Sequence, residues 1–168
     1  MTYELRLERL YEAPLEVVFD TFVDPSAQGW LHGSDRPGWK VQRSDTDVRV
    51  GGTSTYAMGT EGEPPDIETR VYSVIDRPHR LVFRHSMEVA EWGGRTVETE
   101  MTITFETRDG STLLTMLQTG FEREEDRDAF MGGWPVYLET LGRVLASRVP
   151  DGLGEEPGTP ELKARHDG

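Results

Sequence analysis

Cysteine is absent from the 168 residues. That excludes disulfides, thiolate nucleophiles and Cys-ligated zinc or iron–sulfur centres. Lysine is nearly absent too: Lys40 and Lys163 stand against sixteen arginines, which we read as coding bias before function. No uninterrupted apolar run approaches the roughly 20 residues of a membrane span. The opening Met1-Thr2-Tyr3-Glu4-Leu5-Arg6 has no basic stretch leading into an apolar one, so no signal peptide is expected and the default location is cytoplasmic. Positive charge is also scarce. Eighteen Lys and Arg face 31 Asp and Glu, a net of −13. Such a field repels phosphate at long range and sets aside nucleic acid and anionic membranes as partners.

The motifs of several chemistries are missing as well. There is no G-x-S-x-G elbow, no G-x-G-x-x-G fingerprint, no P-loop and no H-E-x-x-H. His32, His79, His85 and His166 show no metal-ligand spacing. Gly51-Gly52 precedes a strand pattern and not a helix, so it reads as a turn or bulge and not as a phosphate cradle. We therefore assign no catalytic residue, no metal and no cofactor. Carboxylates are plentiful, but Glu98, Glu100 and Glu68 alternate with Val97, Thr99, Met101, Ile67 and Thr69, and they read as the solvent face of a sheet.

What is present is the material of one core: 35% hydrophobic residues, with six Phe, five Tyr and four Trp. Tyr3, Leu5 and Leu7 alternate with charge as in a half-buried strand. Ala13-Pro14 opens a helix carrying Leu15, Val18, Phe19 and Phe22, and Ser26 is a candidate cap for a second short helix through Trp30 and Leu31. Short strands follow. Trp39–Arg43 and Val48–Val50 flank a hairpin turn at residues 44–47, and further strands are expected over 53–58, 67–75, 80–87, 96–107 and 112–119. Asp109-Gly110 is a strong hairpin signal between the last two. Connections this short imply an antiparallel meander.

A long helix should close the fold, with Phe130, Trp134, Tyr137 or Leu138, Leu141 and Leu145 on one stripe. Gly132-Gly133 and Pro135 predict a break, leaving the main helix at about 134–148. The expected domain is 1–149. Residues 150–168, rich in Pro, Gly and charge with a net of −3, are expected to form a disordered acidic tail.

The inward parity is soft and interrupted by polar groups: Tyr56 and Met58, Phe83 with His85 and Met87, Met116 with Gln118, then Phe130, Met131 and Trp134. Such a lining suits a ligand cavity with a few orienting groups, and it equally suits an ordinary core. His85 is either a hydrogen-bonded core histidine or a polar contact in that cavity.

Several strings, taken in order, resemble a known family. Ala13-Pro14-Leu15-Glu16-Val17-Val18-Phe19-Asp20 followed by Trp30 resembles the opening of the SRPBCC (START-like, helix-grip) superfamily, and within it the AHSA-like group, homologues of an activator of heat-shock-protein ATPase. Gly51-Gly52 leading to Tyr56-Ala57-Met58 is similar to that group's G-G-x-aromatic-x-Met strand. The segment Val74 to Phe83 resembles its E-V-x-P-P-x-R-L-V-F, with Arg77 where the first proline usually stands. Gly110 to Phe121 is similar to its G-x-T-x-L-T-L-x-x-x-G-F, and Gly133-Trp134 with Leu138 and Leu141 to its G-W-x-x-x-L-x-x-L.

The resemblance implies an α+β helix-grip fold: a curved antiparallel sheet wrapped around a long C-terminal helix, with two short helices after the first strand. It also implies a hydrophobic cavity between sheet and helix. Members bind lipids, sterols or polyketides, some cyclise polyketides, and some assist a chaperone. The leading expectation is a small hydrophobic or amphipathic ligand held without covalent chemistry by Trp30, Tyr56, Met58, Phe83, His85, Met116, Phe130 and Trp134, with His85 and Tyr56 as polar handles. An aromatase/cyclase-like enzyme using His85, a chaperone-associated interaction module and a homodimer stay open beside it.

Overall fold

Period-two burial builds seven strands into one sheet. In the computed structural model, which describes residues 1–32 and 37–148, the strands are β1 (Tyr3–Tyr11), β2 (Trp39–Asp45), β3 (Thr53–Thr60), β4 (Asp66–Asp76), β5 (Arg80–Val89), β6 (Arg95–Arg108) and β7 (Ser111–Phe121). They pair antiparallel throughout, in the spatial order β1-β7-β6-β5-β4-β3-β2. Helices α1 (Leu15–Val23) and α2 (Gln28–Leu31) fill the excursion between β1 and β2, and α3 (Glu124–Arg148) follows β7.

Side chains of one parity meet the helices. Leu5, Phe83, Met101, Ile103, Phe105, Leu114 and Met116 are buried together with Val18, Phe19 and Phe22 of α1 and Leu138, Leu141 and Leu145 of α3. Phe105 sits edge-on to Phe19 and Phe22, at ring separations of 5.1 and 6.1 Å. The Tyr11 hydroxyl donates to the Leu138 carbonyl at 2.7 Å, fastening α3 to the edge strand.

Turn chemistry behaves as its residues dictate. Asp109 and Gly110 both adopt positive φ, the requirement of a two-residue hairpin whose twist matches its strands. The expected hairpin at residues 44–47 is not formed. Strand β2 runs on to Asp45 and pairs with β3. Val48–Val50 is not a strand, because the loop instead bonds to β4, with Gly51 N donating to Tyr72 O and Tyr72 N to Gly52 O. Gly52 is required there, since a Cβ would meet the Asp47 carbonyl at 2.3 Å.

Two helical expectations also change. Ser26 does not cap α2, whose N-cap is Ala27 without a side-chain bond; it lies in a 3-10 turn, Pro25–Ala27, capped by Asp24, whose side chain accepts from Ser26 N at 2.9 Å. Helix α3 is continuous through Gly132, Gly133 and Pro135. Pro135 still lacks its backbone donor, but Trp134, Tyr137 and Leu138 around it are buried in the core. Packing outweighs local propensity here. Met131, expected to face inward, is 40% exposed.

The acidic first turn of α3 does more than complement the helix dipole. Asp126 makes a two-pronged bond with Arg95, 2.8 Å on each arm, and that bond holds its carboxyl below the ordinary range. The expected tail, residues 150–168, lies outside the described residues.

Candidate functional site

A cleft of about 420 Å³ opens between the N-terminal half of α3 and the β3–β5 side of the sheet. Helix α3 contributes Phe130, Gly133, Trp134 and Tyr137; Leu31 and His32 come from the end of α2, and Trp39 from the start of β2. The sheet supplies Met58, Asp66, Glu68, Met87 and Val89, and the 3-10 turn at Ala90–Trp92 adds Glu91 and Trp92. Gly133 matters by what it lacks: a Cβ there would meet nothing within 4 Å.

The floor is ionic. Glu68 and Arg70 lie two residues apart on β4, so both side chains point to the same face, and each is about 1% exposed. Arg70 Nε donates to Glu68 Oε2. Its guanidinium is enclosed by aromatic rings, 5.0 Å from the centre of Phe83, 5.3 Å from Tyr56, 5.6 Å from Phe22 and 5.9 Å from Tyr137. Arg70 Nη2 also reaches the Tyr137 hydroxyl oxygen at 3.5 Å.

Burial alone would raise the Glu68 carboxyl, but Arg70, His32 and His85 overturn it and hold the group well below the ordinary carboxylate range. Burial, the largest influence on His32, pulls it below its ordinary value despite Glu68. A neutral His32 has one N–H for two acceptors, the Gln28 carbonyl at 3.2 Å and Glu68 Oε1 at 3.0 Å. The Gln28 carbonyl already accepts from the His32 backbone N–H at 3.0 Å. Arg70 Nη2 lies 3.2 Å from the same Nε2, so this nitrogen stands between the guanidinium and the Glu68 carboxylate.

A second line of polar groups reaches Glu68 from α3. The Trp134 indole N–H donates to Gln118 Oε1 at 2.8 Å, which turns the Gln118 amide nitrogen toward Thr99 Oγ1 (2.8 Å) and His85 Nδ1 (3.5 Å). His85 Nδ1 is then the acceptor, and its Nε2–H points at Glu68 Oε2 from 3.4 Å, beyond good hydrogen-bond length. Wall and floor of the cleft are thus joined through side chains. Burial raises Tyr137 to about 12, so its hydroxyl keeps its proton.

The residues singled out from sequence divide. Met58, Phe130 and Trp134 line the cleft. Tyr56 and Phe83 lie one layer deeper, around Arg70, and Tyr56 stacks on His32 at 4.2 Å. His85 is buried behind Glu68, Met116 is in the packed core, and Trp30 is partly buried against that core.

Glu68 requires a correction: it is inside, not on the solvent face, while Val71 of the opposite parity is 40% exposed. Strand β4 is inverted relative to its apolar pattern because Arg70 on the same face compensates the carboxylate. Sequence reasoning also missed His32, Arg70, Trp39 and Trp92. The available signal was the parity of Glu68 and Arg70 with Tyr72, an opposite-charge pair sharing a face with an aromatic.

Sheet, grip and helix define the α+β helix-grip class. The chain belongs to the family described as activator of Hsp90 ATPase homolog 1-like protein, which matches residues 12–146. Among solved structures, the AHSA1 protein from Silicibacter pomeroyi is similar at 20% identity and TM-score 0.72, covering 87% of this chain and 99% of that one. Protein Ms6760 from Mycobacterium smegmatis is similar at 22% identity and TM-score 0.67, covering 83% and 88%. DynU16, described as a putative protein in the dynemicin biosynthetic locus, shares 19% identity at TM-score 0.67 over 88% of this chain and 48% of its own. At these identities the likeness is one of fold. No curated protein matches the chain by sequence. Among the described residues, no helix is long and apolar enough to cross a membrane, and no group of His, Asp and Glu could hold a metal ion.

Proposed function

We propose that this protein binds a small apolar or amphipathic molecule in the cleft beneath α3, without covalent chemistry. The observation that carries the reading is the cleft's construction: apolar walls of Met58, Met87, Phe130 and Trp134 around a floor of His32 and Glu68. Its volume, about 420 Å³, falls within the usual size of a ligand pocket. The Glu68 carboxylate is held in place by Arg70 behind it, so a ligand meets a fixed polar surface that does not have to reorganise. Gly133 is on the cleft lining and a Cβ there meets nothing within 4 Å, so a bulky side chain can be placed at this position.

The test is a thermal-shift and tryptophan-fluorescence screen of small apolar compounds on the wild type and on Gly133→Phe. Compounds that raise Tm and perturb the emission of the wild type, with both effects lost in a folded Gly133→Phe, are expected. A flat response of the wild type across the whole set overturns the reading.

The family's description supports a second reading, a protein-binding role in which the −13 charge engages a basic partner. It predicts a salt-sensitive complex that Gly133→Phe leaves intact. Capture that is unaffected by salt argues against it.

A further inference from the structure

The Glu68 carboxylate has more acceptor sites than the donors that reach it. An ionised carboxylate offers about four lone-pair sites. On Glu68, His32 Nε2 occupies one site of Oε1 and Arg70 Nε one of Oε2, while His85 Nε2 stands 3.4 Å from Oε2 without a hydrogen bond to it. The second site of Oε1 receives no donor among these, and Glu68 is part of the cleft lining. Its anionic form is fixed by position, because Arg70 Nε and His32 Nε2 converge on one buried carboxyl. Tyr137, also on the lining, has its oxygen approached by Arg70 and keeps its own proton to give. Of the buried ionic pair, Glu68 lines the cleft and Arg70 does not reach the surface.

From this we infer that the ligand carries a neutral or cationic hydrogen-bond donor, a phenol, alcohol or amine, which it presents to Glu68 Oε1, and that carboxylate-bearing molecules are rejected. The inference rests on the cleft being a ligand site and adds the chemical class of what enters. An alcohol or phenol pairs with the spare lone pair and can accept from Tyr137. An ether of the same shape leaves the Glu68 site unfilled and loses a charge-assisted bond. A carboxylate brings like charge against a fixed anion with little water between them.

The experiment is calorimetric titration with three molecules that share one ring system: 2-naphthol, 2-methoxynaphthalene and 2-naphthoate. Wild-type protein is expected to bind 2-naphthol about tenfold or more tighter than the ether, with 2-naphthoate weaker than both. Glu68→Gln alone strands Arg70 and is expected to fold poorly, so the variant arm is Glu68→Gln with Arg70→Met, which removes both charges together. In that protein the preference for the naphthol should shrink toward parity. If that variant does not fold, the wild-type ranking alone decides. Equal binding of all three, abolished by Gly133→Phe, overturns this inference and leaves the cleft reading standing. Tightest binding of 2-naphthoate overturns it as well. No binding of any of the three overturns both.

Discussion

Helix α3 covers two different surfaces along its length. Its C-terminal half sets Leu138, Leu141 and Leu145 against an apolar bed of Leu5, Phe105 and Leu114, closed by α1. Its N-terminal half sets Phe130, Gly133 and Trp134 over an open cleft floored by His32 and Glu68. One half is filled and dry. The other is partly hollow and carries a buried four-membered polar cluster of Glu68, Arg70, His32 and His85. The contrast shows where this fold places stability and where it leaves room for recognition. The apolar half needs only volume and pattern, whereas the polar half works only if every charge has its partner.

The comparison breaks most sharply at Arg70. Arg70→Met leaves Glu68 buried without its counter-charge, and a loss of about 3–5 kcal/mol is expected in denaturant unfolding. Adding Glu68→Gln should recover most of it. If Arg70→Met costs no more than an ordinary surface change, the floor is not an obligate ion network.

Acid should loosen the polar half first. His32 has a folded pKa below its ordinary 6.5 and Glu68 one well below its ordinary 4.5. Each therefore binds fewer protons folded than unfolded, and each contributes stability that is lost as pH falls. Unfolding free energy should decline below about pH 6.5 through His32 and again below the ordinary carboxylate range through Glu68. His32→Gln is expected to flatten the first decline and leave the second. A stability curve with no slope between pH 6.5 and 5 in the wild type would contradict the placement of a neutral, desolvated His32.

The smallest effect belongs to the helix backbone over the cleft. Gly132 is exposed and a Cβ there meets nothing within 4 Å, so Gly132→Ala should stabilise the protein by up to about 1 kcal/mol in thermal unfolding. A loss of stability instead would mean that this turn of α3 needs glycine's freedom.

The two halves were unequally legible in the sequence. The filled half follows from periodicity: Leu5, Met101, Ile103, Phe105, Leu114 and Leu141 are where alternation and helical spacing put them. Turn residues located the β6–β7 hairpin, and ordered family-like strings supplied the helix-grip arrangement. The polar half resisted because its rule runs against composition. A charged pair at Glu68 and Arg70 reads as solvent-facing until its burial by four aromatic rings is known, and those rings come from α1, β3, β5 and α3. His32 at the end of a four-residue helix gives no periodic signal at all. Pro135 misled for the opposite reason, since local propensity predicted a break that tertiary packing prevents.

The most direct test of the central claim, that the hollow half is a ligand site, is native mass spectrometry of freshly purified wild type and Gly133→Phe. The account predicts a bound small mass on the wild type that is absent from a folded Gly133→Phe. An identical bound mass on both proteins, or none on the wild type even after incubation with 2-naphthol, would contradict it.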